Sequence, residues 1–190
     1  MKICLLGEVG VGKSCLSKSL LGQQFDRFSE ATIGASFYSM YLNNYVDTKI
    51  YFWDTAGQER YKSLGPLYTK GCHVIILVLS KENKWDANLK GWLNFYKKHC
   101  YDSTQIIIVF SKIDIDSNKP SLQDLNQVNI ILSKYNIKSN IILHSSKMNL
   151  GNQELKNQLI DLSTLIIKYN ICASNNKEWC CNKEWCCNIM

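Results

Sequence analysis

Five short apolar runs punctuate the chain: Ile3–Leu6, Ile50–Trp53, Val74–Leu79, Ile106–Phe110 and Ile141–Leu143. Each is rich in branched aliphatic residues and reads as a buried strand. Ser36–Leu42 is more mixed, and the turn residues Asn43–Asp47 behind it predict an antiparallel hairpin with Lys49–Asp54. Between the runs the period changes to that of a helix. Trp85, Leu89, Trp92 and Tyr96 form one stripe, and Leu122, Leu125, Val128, Leu132 and Tyr135 a second. Leu155, Leu159, Leu162, Ile166 and Tyr169 make a third. Such stripes could face partners, but in an alternating chain an apolar helix face belongs to the core. The pattern predicts an α/β fold, a six-stranded mostly parallel sheet with helices on both faces. Ligands in such folds sit beyond the carboxyl ends of the strands. After about Tyr169 the pattern dissolves into Asn, Lys, Glu and Cys. The expected organisation is therefore one domain over residues 1–169 and a flexible tail over 170–190. The tail repeats NKEWCC, at Asn176–Cys181 and Asn182–Cys187, and a hexamer is too short to fold alone.

Composition narrows this only slightly. At 190 residues the chain fills one domain and not two. A formal charge of +6 could mark a patch for anionic lipid or nucleic acid, yet scattered lysines on a solvated surface explain it as well, and no nucleic-acid partner is expected. Cys4, Cys15, Cys72 and Cys100 sit singly in apolar or helical stretches, as reduced thiols do. Gly7 and Glu8 end the first apolar run too early for a signal sequence, and no stretch reaches membrane-spanning length. A cytosolic protein is expected.

The residues after the strands carry the chemistry. Gly7-x4-Gly12-Lys13-Ser14 follows the first strand and opens a helical stretch. Its glycines let successive N–H groups turn inward to phosphate oxygens, and the helix start adds its dipole. Lys13 can reach the outer phosphates and Ser14 can ligate Mg²⁺. A plain glycine-rich turn is the alternative, and the motif alone does not separate ATP from GTP. Asp54, at the end of the third strand, is placed to hold a Mg²⁺ water. Gly57 lets a backbone N–H approach the terminal phosphate, and Gln58 can orient an attacking water.

DTAGQE at Asp54–Glu59, joined to the Gly7–Ser14 loop, resembles the Ras-type small GTPases. TIGASF at Thr32–Phe37, KIYFWDTAGQE at Lys49–Glu59 and ERYKSLGPLYTKG at Glu59–Gly71 are similar to the Rab branch, most of all its early-endosomal subgroup. The likeness runs over roughly residues 2–169. It implies a P-loop NTPase fold, GTP or GDP as ligand, Mg²⁺ as cofactor and a switch that acts in vesicle-mediated membrane traffic. Gly7, Glu8, Val9, Gly10, Val11, Gly12, Lys13, Ser14 and Cys15 then line the phosphates. Thr32 matches the switch threonine and joins Ser14 and Asp54 at the metal; Gln58 and Lys13 are the catalytic pair. Phe25 takes the place of the aromatic against the guanine ring. Asp114 would accept from guanine N1 and N2, Lys112 would lay its stem across the base, and Ser146 of Ser145-Ser146-Lys147 would offer its N–H to guanine O6. Ile33–Phe37 and Arg60–Tyr68 correspond to the segments that order with GTP and face effectors.

Two positions depart from the pattern. Ser111 stands where the family has Asn; its shorter side chain is expected not to span the base edge and the phosphate loop, which lowers affinity. Val9 is branched where the family has a small or polar residue, so it crowds the attacking water and slows hydrolysis. In the tail, Cys186 and Cys187 resemble the Rab lipidation signal, with both thiols geranylgeranylated, while Cys187–Met190 also fits a farnesylated C-a-a-X end. A metal site or disulfides among the tail cysteines are the alternatives. Lys177, Glu178, Lys183 and Glu184 cancel, so firm anchoring would need two lipids. The implied partners are an exchange factor, a GTPase-activating protein, effectors, prenylation escort and extraction proteins, and the cytosolic face of endomembranes such as early endosomes.

Overall fold

The computed structural model describes residues 1–42, 49–57, 64–82 and 84–174, with the side chains of the last helix described as far as Ile167. Strands β1 (Lys2–Leu6), β2 (Ala35–Tyr41), β3 (Lys49–Thr55), β4 (Val74–Leu79), β5 (Gln105–Phe110) and β6 (Ile141–Leu143) alternate with five helices. The helices are α1 (Lys13–Leu20), α2 (Gly65–Thr69), α3 (Trp85–His99), α4 (Leu122–Lys134) and α5 (Asn152–Ser174). The sheet order is β2-β3-β1-β4-β5-β6. Only β2 runs antiparallel, with Phe37 opposite Trp53 in the expected hairpin; Asn43–Asp47 lie outside the described residues.

Alternation along β4 explains the layering. Val74, Ile76 and Val78 point to one face and Ile75, Leu77 and Leu79 to the other, and all six are buried. On the first face Leu16 and Leu20 of α1 and Leu155 and Leu159 of α5 close the core. On the second, Leu89, Trp92, Leu93 and Tyr96 of α3 meet Val128, Ile131 and Leu132 of α4. The stripes seen in the sequence thus cover the sheet, as binary patterning requires. Cys4, Cys15, Cys72 and Cys100 are free thiols.

Two details differ from the sequence expectation. Leu122, counted in a core stripe, is 80% exposed because it occupies the first turn of α4, ahead of the sheet. There Ser121 and Asp124 form a capping box, each side chain bonding the other's backbone N–H. Finally, α5 continues five residues beyond Tyr169, to Ser174, because no glycine or proline in Asn170–Ser174 stops it.

Phe52 is fully buried at the centre of the α1/α5 face. Its replacement by alanine is expected to cost about 3–5 kcal/mol of stability, read as a shift of the denaturant midpoint.

Candidate functional site

β1 sits between β3 and β4, so the chain's connections diverge at its carboxyl end. That divergence opens the crevice in which open α/β sheets hold ligands, and the loop Gly7–Gly12 lies there. Gly7 could carry no side chain, because a Cβ would stand 2.3 Å from the carbonyl of Val78. Gly10 and Gly12 take left-handed φ values of 74° and 91°. Gly12 caps α1 with no side-chain bond, which leaves the first amides of the helix to any anion in the loop. Lys13 is only 5% exposed, and its Nζ arches back to donate to the carbonyls of Gly7 at 2.9 Å and Glu8 at 2.8 Å. Val11 points into the core, so only its backbone can face a ligand, whereas Val9 is half exposed at the rim.

The hydroxyls of Ser14 and Thr32 meet at 2.7 Å across eighteen residues of chain. Beside them lies Asp54, fully buried at the end of β3. Neither of its oxygens accepts a hydrogen bond of ordinary geometry among the described residues. Burial pushes its pKa above the usual carboxylate value, and the Ser14 hydroxyl and Lys13 ammonium nearby pull it back. A buried carboxylate without a hydrogen-bond donor is costly. Three hard oxygen donors of this kind suit a small divalent cation. Gly57 lies directly against the phosphate loop, where a Cβ would be 2.5 Å from Glu8 C and Val9 N. Gln58, expected to be catalytic, lies outside the described residues, as do Cys186 and Cys187.

A second group follows β5 and β6. Ser145 donates to Asp114 Oδ1 at 2.6 Å and accepts from the amide of Met148 at 3.1 Å, so the carboxylate is held from the neighbouring loop. Lys112 has a left-handed φ of 58° and reaches Glu82 at 3.4 Å. Phe25, Cys15 and Ser146 line one small cleft; Lys147 is exposed. Ser111 corrects the sequence expectation in part. Its buried hydroxyl does reach the phosphate loop, with the carbonyls of Val11 at 2.5 Å and Leu79 at 3.0 Å in range. It carries a single proton, so it serves one of them at a time.

Sequence reasoning missed two supporting groups. One is the indole of Trp92, which donates to Glu8 Oε1 at 3.1 Å. The other is His144, fully buried, whose Nε2 bonds Asn152 Oδ1 at 2.8 Å while Asn152 donates to Ser19 Oγ at 2.7 Å. This joins α1, α5 and the Ser145–Lys147 loop. A lone histidine beside Ser145 offered no pattern to find it by. Phe37 also meets Trp53 edge-on and Trp53 meets Tyr68 at a tilt, with centroids 5.3 and 5.7 Å apart.

Residues 2–114 match the family described as Ras of Complex, Roc, domain of DAPkinase. The putative ras-related protein Rab-5B of Dictyostelium discoideum is 35% identical over 130 residues, 66% of this chain and 59% of that protein. The ras-related protein Rab-22A of Homo sapiens is 36% identical over 118 residues, 60% of each. The chain thus spans less than two thirds of the length of these relatives. The solved structure of Methanosarcina barkeri Roco2 RocCORdC bound to GDP shares the fold, with a TM-score of 0.69 at 24% identity over 85% of this chain and 48% of that one.

Burial holds His144 below its ordinary value of 6.5, against the opposing Asn152 bond. Below pH 6.5 the unfolded chain takes up a proton that the folded chain refuses, so stability is lost as the pH falls through that value. Melting temperatures at pH 7 and pH 5.5 check this: His144→Asn is expected to show the smaller drop of the two proteins.

Proposed function

The chain belongs to the Roc/Ras superfamily, and from that premise we propose that it is a regulatory GTPase that binds GTP and GDP and hydrolyses GTP slowly. The observation that carries the reading is the meeting of Ser14 and Thr32 at 2.7 Å beside the buried Asp54 carboxylate. A switch segment distant in sequence is thereby brought to the phosphate loop, where a nucleotide-dependent contact has to be made.

The donor set fits Mg²⁺. Ser14, Thr32 and Asp54 would hold it, and when bound it neutralises charge on the outer phosphates. Lys13 holds the phosphates from inside the loop, and the α1 amides add their dipole. Asp114, fixed by Ser145, selects guanine by accepting from N1 and N2, where adenine offers no matching donors. Phe25 and Ser146 line one small cleft, and we assign them to the two sides of the base. Gln58 orients the attacking water. With GTP bound, Thr32 and the segment at Gly57 are held in place, and with them the surface of Phe37, Trp53 and Tyr68 to which effectors dock; release of the terminal phosphate lets that surface relax.

The remaining roles follow from the resemblance to the Rab branch. Exchange factors and activating proteins drive the cycle, and escort and extraction proteins handle a chain lipidated at Cys186 and Cys187. On this reading the protein acts on the cytosolic face of endomembranes, in vesicle-mediated traffic, with residues 1–169 as the GTPase domain and 170–190 as a tail whose first residues still belong to α5. Among the described residues no helix is long and apolar enough to cross a membrane. The endosomal assignment leans on the Rab-5B and Rab-22A relatives.

Val9 is half exposed, and the family resemblance sets its branched side chain where the attacking water would approach. Single-turnover hydrolysis is expected to be roughly tenfold faster in Val9→Ser, about 1.4 kcal/mol off the barrier, with and without an activating protein. Equal rates would contradict the crowding. If neither protein releases phosphate from bound GTP, the better account is a nucleotide-binding membrane adaptor.

A further inference from the structure

Glu8 is the single acidic residue of the Gly7–Ser14 loop, and it sits in a segment whose backbone is arranged for anions. A carboxylate there opposes a bound phosphate. If it turned inward, it would also compete with that phosphate for the Lys13 ammonium, whose Nζ already bonds the Glu8 carbonyl at 2.8 Å. The structure gives the side chain another direction. Glu8 Oε1 accepts from the indole Nε1 of Trp92 at 3.1 Å, which turns the carboxylate toward α3.

Trp92 is well built for that task. It is 8% exposed within the α3/α4 core, and its ring packs edge-on against Phe95 with centroids 5.6 Å apart. Phe95 is itself wedged against the start of α2, where a Cβ on Gly65 would lie 2.8 Å from its Cζ. The donor is therefore rigid. Indole N–H is also a donor only, so it binds a carboxylate with a charge-assisted bond and brings no cation that would displace Lys13. Gly57 also closes on the Glu8–Val9 peptide, where a Cβ would stand 2.5 Å from Glu8 C. The loop is clamped where its one negative charge lies.

We propose that Trp92 is a positioning residue of the nucleotide site, and that its indole N–H holds the Glu8 carboxylate off the phosphate-binding side of the loop. The inference rests on the reading that this loop binds a guanine nucleotide. It assigns Trp92 an electrostatic duty beyond packing, exerted through Glu8.

The test is the rate at which a fluorescent GDP analogue leaves the full chain in the presence of Mg²⁺. Trp92→Phe keeps most of the ring and loses the N–H; it is expected to speed release about tenfold. The same substitution in the Glu8→Gln background is expected to speed release less than about threefold, since a neutral amide no longer repels the phosphate. Trp92→Phe without effect, or with an equal effect in both backgrounds, would overturn the proposal. An equal effect would mean that only packing was lost, and a ring that fails to pack fails in both backgrounds. Tight binding by the wild type with uncoupled variants sinks this inference alone. A wild type that holds no GDP sinks the nucleotide reading with it.

Discussion

Burying an ammonium group is costly unless oxygen atoms replace its water, and here the carbonyls of Gly7 and Glu8 do so for Lys13 at 2.9 and 2.8 Å. The chain must curl to bring both carbonyls to one nitrogen. Curling in turn demands the left-handed backbone of Gly10 and Gly12, and the contact of Gly7 with Val78 that excludes any side chain. The same curl turns the amides of the loop and of the first turn of α1 toward one point. The charge, the donors and the shape of the site therefore share one cause. It lies at the end of the central strand, where the sheet is most deeply buried.

Around that loop the structure places groups that sense it. Gly57 touches it through backbone, Ser111 through a hydroxyl, Trp92 through an indole and Thr32 through Ser14. They come from the segments after β3 and β5, from α3 and from the segment before β2, so a ligand in the loop is within one contact of four parts of the chain. Asp54 adds a buried charge whose natural complement is a cation. Such an arrangement suits a switch better than a simple container, because its parts are poised against each other and not only against the ligand.

Much of this was legible in the sequence, for physical reasons. Continuous apolar runs mark strands wherever both faces are covered, and five strands were found in this way; β2, half exposed, was found from the turn residues behind it. The pattern failed where the local cause was not burial. Leu122 is apolar but sits ahead of the sheet in the first turn of α4. At the site, Lys13 and Ser14 were legible because a motif fixes their spacing and Asp54 because it ends a strand, whereas Thr32 and Asp114 were legible only through the family resemblance. Ser111 was half misread. Its reach depends on how closely β5 approaches the loop, which no spacing encodes. Trp92 and His144 were read as core or passed over, since their partners lie far away in sequence.

Calorimetric titration of the full chain with GDP and with ADP, each in Mg²⁺ and again in excess chelator, tests the central claim most directly. The account predicts GDP binding at least about a hundredfold tighter than ADP binding, a gap of roughly 2.7 kcal/mol, and weaker GDP binding once the metal is withdrawn. Equal affinity for the two nucleotides, or GDP binding indifferent to chelator, would contradict it.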